Sequence, residues 1–177
     1  MSLQVRLAQP DDVPALAGLA AATFPLACPP DSTPADQQAF IDAVLSPARF
    51  DEYLADPART VLVADDDGEL VGYTMLVAGT PGDADVRAAL TLTPTVELSK
   101  CYVLAGHHGA GISDALMTAS LDAAPADAVG IWLGVNQLNA RAQRFYGRHG
   151  FERVGVKHFQ VGGRLEDDYV LERALHR

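Results

Sequence analysis

The chain has 177 residues, 49% hydrophobic and 20% charged, which fits one ordinary soluble domain with a proper core. Thirteen basic against 23 acidic residues leave a net charge of −10; this argues against a nucleic-acid partner, which calls for a basic face, and is compatible with a cationic substrate. No apolar run approaches the ~20 residues that span a bilayer, and the first residues, MSLQVRLAQPDD, lack the basic end and apolar core of a signal peptide, so the expectation is a cytoplasmic protein with no membrane partner.

Leu3, Val5 and Leu7 alternate on one face and predict a first strand. Pro10-Asp11-Asp12 is a good helix start, and the helix is expected to run through Val13, Leu16, Leu19 and Ala20 to about Thr23. Pro25, Pro29, Pro30 and Pro34 predict irregular chain over 24–34. A second helical region carries Phe40, Ile41, Val44 and Leu45; Pro47 interrupts it, and Phe50, Tyr53 and Leu54 suggest a further turn or two. Cys28 and Cys101 suggest neither a disulfide framework nor a metal site.

Residues 60–64 and 70–78 read as strands, with Asp66-Asp67-Gly68 as the hairpin turn. The aspartates at 65–67 lack the spacing of a calcium loop and read as a solvated turn. Residues 79–94 are rich in Gly, Pro, Asp and Ala, with a short helix over 86–90. Long loops are often functional, so this one is a candidate lid over an acceptor site.

Residues 97–117, ELSKCYVLAGHHGAGISDALM, read as a strand, a glycine-rich turn and the start of a helix. Such a turn exposes backbone N–H groups beside the positive end of the helix dipole, which suits a pyrophosphate. A plain connector has the same appearance. That helix is expected to end near Asp122, closed by Pro125. Residues 130–135, GIWLGV, form a short buried strand, and 138–149 a helix stopped by Gly150. Residues 151–161 and 165–173 form a last hairpin turning at Gly162-Gly163.

The run Tyr102-Val103-Leu104, His107-His108-Gly109-Ala110-Gly111-Ile112-Ser113 and Ala115-Leu116 resembles the acetyl-CoA-binding motif of the GNAT N-acetyltransferase superfamily, Arg/Gln-x-x-Gly-x-Gly/Ala. The motif falls on His108, Gly111 and Ser113, so its first and last fixed positions depart from the pattern. His108 keeps a donor without a permanent charge. Ser113 adds a hydroxyl that could either donate to phosphate or crowd it. The resemblance implies acetyl-CoA as cosubstrate, with its pyrophosphate held mainly by backbone amides of His108, Gly109, Ala110, Gly111, Ile112 and Ser113.

A second block, Val135, Asn139, Ala142, Phe145-Tyr146 and Gly150-Phe151, resembles the superfamily's V-x-x-x-N-x-x-A-x-x-F-Y-x-x-x-G-F at every fixed position. The resemblance implies an α/β (α+β) fold, a mixed and mostly antiparallel central sheet flanked by helices in the order β-α-α-β-β-β-α-β-α-β-β, as one domain over 1–177. It also implies that Tyr146 protonates the departing thiolate and that Asn139 contacts the pantetheine arm. The strand before the glycine turn would splay from its neighbour, leaving backbone of Cys101, Tyr102 and Val103 for the pantetheine amides. Glu97 stands where members often carry a glutamate and is the candidate base; an exposed strand glutamate is the other reading.

The IWLGV strand, His158-Phe159, Gly162, Asp168 and Leu171 resemble, with few fixed residues, the bacterial spermidine/spermine acetyltransferase branch. That resemblance, the acidic charge, and Asp31, Asp36, Asp83 and Asp85 in the variable loops lead to a polyamine or similar small amine as acceptor. A peptide or protein amine is the alternative, as is an acyl-CoA-binding regulator with little turnover. The superfamily is often dimeric, and a homodimer rests on that analogy alone.

Overall fold

The computed structural model describes residues 2–109, 111–161 and 163–176; Ala110 of the expected cofactor turn and Gly162 of the last hairpin lie outside the described residues. Its strands are β1 (Leu3–Leu7), β2 (Arg59–Asp66), β3 (Glu69–Ala78), β4 (Thr95–Val103), β5 (Gly130–Asn136), β6 (Glu152–Val161) and β7 (Arg164–Ala174). Its α-helices are α1 (Val13–Ala27), α2 (Pro34–Val44), α3 (Pro47–Ala55), α4 (Ala84–Ala89), α5 (Ile112–Ala123) and α6 (Ala140–Arg148). The strands form one seven-stranded sheet in the order β1-β2-β3-β4-β5-β7-β6. Every neighbouring pair is antiparallel except β4 with β5. This is the mixed, mostly antiparallel architecture expected from the sequence, with α3 and α4 added as separate helices.

Period-two alternation sorts the sheet's side chains onto two faces. Val61, Val63, Tyr73 and Met75 pack against Leu16, Phe24 and Phe50 from α1 and α3. Leu62, Ala64, Val71 and Val103 pack against Ile112 and Leu116 of α5 on the other side. Farther along, Val96, Leu98, Ile131 and Leu133 meet Met117 of α5, with Phe145 and Tyr146 of α6 beside them. The β2–β3 hairpin turns at Asp67 and Gly68, both at positive φ (54° and 95°), as the mirror-image turns of tight hairpins require.

Several boundaries differ from the sequence expectation. α1 does not stop at Thr23 but continues through Pro25 to Ala27. A proline in the last turn forgoes one helical hydrogen bond, and the segment is held by Phe24, whose ring stacks on Phe40 at 4.4 Å. Pro47 begins a helix rather than merely interrupting one, with Ser46 accepting from the Arg49 N–H as its cap. α6 starts at Ala140, because Asn139 Oδ1 accepts from the Ala142 N–H and caps it. The segment over 79–94 is anchored to the sheet: Val86 packs on Trp132 and Val170, and the N–H groups of Thr91 and Leu92 donate to the Glu172 carboxylate.

Candidate active site

The site begins with a strand pair that separates. β4 and β5 are paired only from Thr95 to Glu97, against Gly130 to Trp132. From Leu133 onward β5 remains paired with β7 on its other edge, and β4 stays with β3. The β5-facing edge of β4 beyond Glu97 therefore has no strand partner among the described residues. A cleft of about 580 Å³ opens there, lined by Cys101, Tyr102 and Val103.

The glycine turn closes one end of this cleft. Gly106, Gly109 and Gly111 sit at φ of 86°, 90° and 77°. Gly111 is the N-cap of α5 and supplies no side-chain cap, so the first-turn N–H groups are left for another acceptor. An uncapped helix start facing a cleft is a ready anion site. His108, Gly111 and Ser113 all line it. Gly109 carries the turn. Ile112 is fully buried, with its side chain in the core, so only its backbone can serve a ligand. Burial, with Arg141 and His107 nearby, lowers the His108 pKa below its ordinary value; at neutral pH His108 offers a hydrogen bond and no charge.

Positive charge comes instead from a source the sequence reading missed. Arg141, Arg144 and Arg148 of α6 line the cleft opposite the turn. Their spacing of three and four residues puts them on one helical face, and that pattern was visible in the sequence. What was not visible is that this face borders the same cleft as the glycine turn, with Arg141 near His108.

Tyr146, on the same helix, packs its ring against Phe145 at 5.4 Å and Phe151 at 5.8 Å. Its hydroxyl stands beside the Cys101 thiol. Burial pushes the Tyr146 hydroxyl well above the ordinary tyrosine value and the Cys101 thiol up to about 12; both keep their protons at neutral pH. Both rings border the same apolar cluster and the cleft. Asn139 also lines the cleft. Its Oδ1 is committed to capping α6, which leaves its Nδ2 for a ligand.

On the α1–α3 side of the splay lies a smaller pocket of about 130 Å³, with Phe24, Phe40 and Leu45 as apolar walls and Glu97, Lys100 and Lys157 as charged ones. A bulge in β4 assembles it. Met75 pairs with Lys100 and Leu76 with Leu98, so Ser99 is the extra residue. Strict alternation would send Glu97 and Lys100 to opposite faces; the bulge brings both to the pocket. Burial raises the Glu97 pKa above its ordinary 4.5, opposed by Lys157, Lys100 and Arg59. Burial also pushes Lys100 down to about 8, opposed by Glu97. Lys157 crosses β5 at Gly134, where an added Cβ would collide with its Cε.

Residues 22–151 match the Acetyltransferase (GNAT) family model. The chain belongs to the GNAT acetyltransferase family. It is 49% identical, over 165 residues covering 93% of this chain and 98% of the relative, to an uncharacterised N-acetyltransferase of Mycobacterium tuberculosis. It is 31% identical to an N-alpha-acetyltransferase of Sulfurisphaera tokodaii, over 71% of this chain and 75% of that one. Its fold matches the PaiA N-acetyltransferase of Thermoplasma acidophilum, solved in complex with coenzyme A, with a TM-score of 0.76 at 16% identity over 98% of this chain and 99% of that one. As a GNAT member, the protein is an acetyl-CoA-dependent N-acetyltransferase.

Proposed function

We propose that the protein acetylates a primary amine by direct attack on acetyl-CoA, with Glu97 taking a proton from the amine and Tyr146 giving one to the leaving sulfur. The observation that carries this reading is the position of the two groups about the splay. Glu97 is the last β4 residue paired to β5, and the Tyr146 hydroxyl stands by Cys101 on the unpaired stretch that follows.

Acetyl-CoA supplies an activated thioester; the residues do the rest. The backbone amides of the glycine turn and the start of α5, with Arg141, Arg144 and Arg148, hold the phosphates. The free edge of Cys101, Tyr102 and Val103 takes the pantetheine amides, joined by Asn139 Nδ2. A backbone N–H on that edge would polarise the acetyl carbonyl and stabilise the negative charge that develops on its oxygen. A primary amine has a pKa near ~10.4, so about one part in a thousand is neutral at pH 7. Glu97, held in a low-dielectric wall, is the group that removes the surplus proton.

The acceptor is the finer question. Asp31, Asp36, Asp83 and Asp85, on which the polyamine expectation leaned, line neither the cleft nor the two smaller pockets beside it. Asp83 is spent capping α4, and Asp36 Oδ1 accepts from the Gly163 N–H. Those four residues therefore offer a polyamine no carboxylate at the site; the carboxylates that border it besides Glu97 are Asp114 in the cleft and Glu166 in the adjoining pocket. An α-amine is a second reading, favoured by the likeness to the Sulfurisphaera N-alpha-acetyltransferase.

The test is thiol release from acetyl-CoA against a panel of polyamines, peptide N-termini and small amines. Glu97→Gln is expected to lower kcat/KM by about 10²–10⁴. It also removes an acid limb that should lie above pH 4.5 in the wild type, because burial raises the carboxyl and activity needs it ionised. Acetyl-CoA binding without thiol release to any amine would leave a binding regulator instead.

A further inference from the structure

The pocket beside Glu97 holds a charge that acceptor activation does not use. Lys100 is 9% exposed, yet it lines this pocket. Among the described residues its ammonium makes no hydrogen bond and no ion pair within 4.0 Å; it stands over the Tyr53 ring, with Nζ 5.9 Å from the centroid. Among the described residues Glu97 likewise has no hydrogen bond and no ion pair within 4.0 Å; Lys157, Lys100 and Arg59 act on it only at longer range. Two opposite charges thus border one small pocket, mostly buried and each lacking a close partner. A buried charge without a partner is costly. Such an arrangement is explained when a ligand brings the partners.

The bulge at Ser99 sets their relation. With one residue absorbed, Glu97 and Lys100 are neighbours on one face, about 7 Å apart along the strand. A single small molecule with an amine and a carboxylate on adjacent atoms can reach both side chains. Phe24, Phe40 and Leu45 complete the pocket, so an apolar substituent would be accommodated. Within this pocket a polyamine's second ammonium would meet Lys100 or Lys157; the carboxylate of Glu166 belongs to the adjoining pocket.

We infer that the acceptor is an amino-acid-like amine, with its carboxylate bound by Lys100 and its amino group facing Glu97. The inference rests on the acetyltransfer reading of the site and adds the acceptor's class. Lys100 binds and orients the acceptor; it exchanges no proton in the reaction. Lys100 is pushed down only to about 8, so it is still mostly charged at pH 7.

The experiment compares L-leucine, L-methionine and L-phenylalanine with their amides and their decarboxylated amines, and with spermidine, by thiol release from acetyl-CoA. The free amino acids are expected to exceed both counterparts by about 10–100-fold in kcat/KM, the range of a lost charge-assisted hydrogen bond. Lys100→Met, close in volume, should erase that advantage while leaving acetyl-CoA KM within about 3-fold of wild type. Equal rates for acid, amide and amine overturn the inference, and so does a preference for spermidine or for the amides, which mimic a peptide N-terminus. If nothing is turned over, calorimetry of the three amino acids with the CoA-loaded protein decides. Binding that Lys100→Met abolishes supports the pocket while acetyl transfer fails, and no binding overturns it.

Discussion

Replacing Tyr146 by Phe removes one oxygen from a wall that otherwise stays in place. The ring contacts with Phe145 and Phe151, at 5.4 and 5.8 Å, do not involve the hydroxyl. The hydroxyl stands beside the Cys101 thiol, a weak partner. The stability cost should therefore be about 1 kcal/mol or less, or about 2–4 °C in Tm for a chain of this size. The catalytic cost should be far larger. Without the phenol the sulfur leaves as an unprotonated thiolate, and loss of a general acid typically lowers a rate about 10²–10⁴-fold, equivalent to about 2.7–5.5 kcal/mol in the barrier. The assay is pre-steady-state thiol release at saturating acetyl-CoA and acceptor, with acetyl-CoA affinity measured separately. The expected result is a fall in the chemical step with near-normal affinity. The wild-type step should also show no basic limb from this group below about pH 10, because burial holds the proton on. An unchanged chemical step in Tyr146→Phe refutes the role. A fall in kcat that tracks an equal loss of acetyl-CoA affinity would turn Tyr146 into a binding residue.

Gly111→Val places a β-branched residue at φ 77°, a strained backbone for any Cβ. The added Cβ meets no protein atom within 4 Å, so the expected loss of stability is about 1–2 kcal/mol from backbone strain. Loss of acetyl-CoA binding well beyond that, read by calorimetry, would locate the phosphate at this turn; normal binding would move the cofactor site elsewhere. The double substitution Arg141→Ala and Arg144→Ala should raise acetyl-CoA KM about 10–100-fold and flatten the dependence of KM on salt, since the lost attraction is screened within about 8 Å at physiological ionic strength. Dephospho-CoA, which lacks one phosphate, should be affected less than CoA if the arginines hold that group, and equally if they hold the pyrophosphate.

Much of this protein is legible from its sequence because the signals are local. Asp67-Gly68 turns a hairpin, Gly150 ends a helix, and the glycines from 106 to 111 open α5, each because the conformation demanded belongs to those residues themselves. The apolar alternation of β2 and β3 needed no partner to be read. Four features did need the tertiary structure. Proline at 25 reads as a break, but the stacking of Phe24 on Phe40, from a helix sixteen residues on, carries α1 past it. Arg141, Arg144 and Arg148 share a face by spacing; only the docking of α6 at the splay brings that face to the cleft the glycine turn closes. The carboxylates of the variable loops read as an acceptor surface, but α4 takes Asp83 as its cap and sits against Trp132 instead. Lys100 is the sharpest case. Counting by twos from Glu97 puts it on the opposite face, where it would have no bearing on the chemistry. A bulge is a property of two strands in register, set where Met75 pairs with Lys100 and Leu76 with Leu98, and no single strand's sequence contains it.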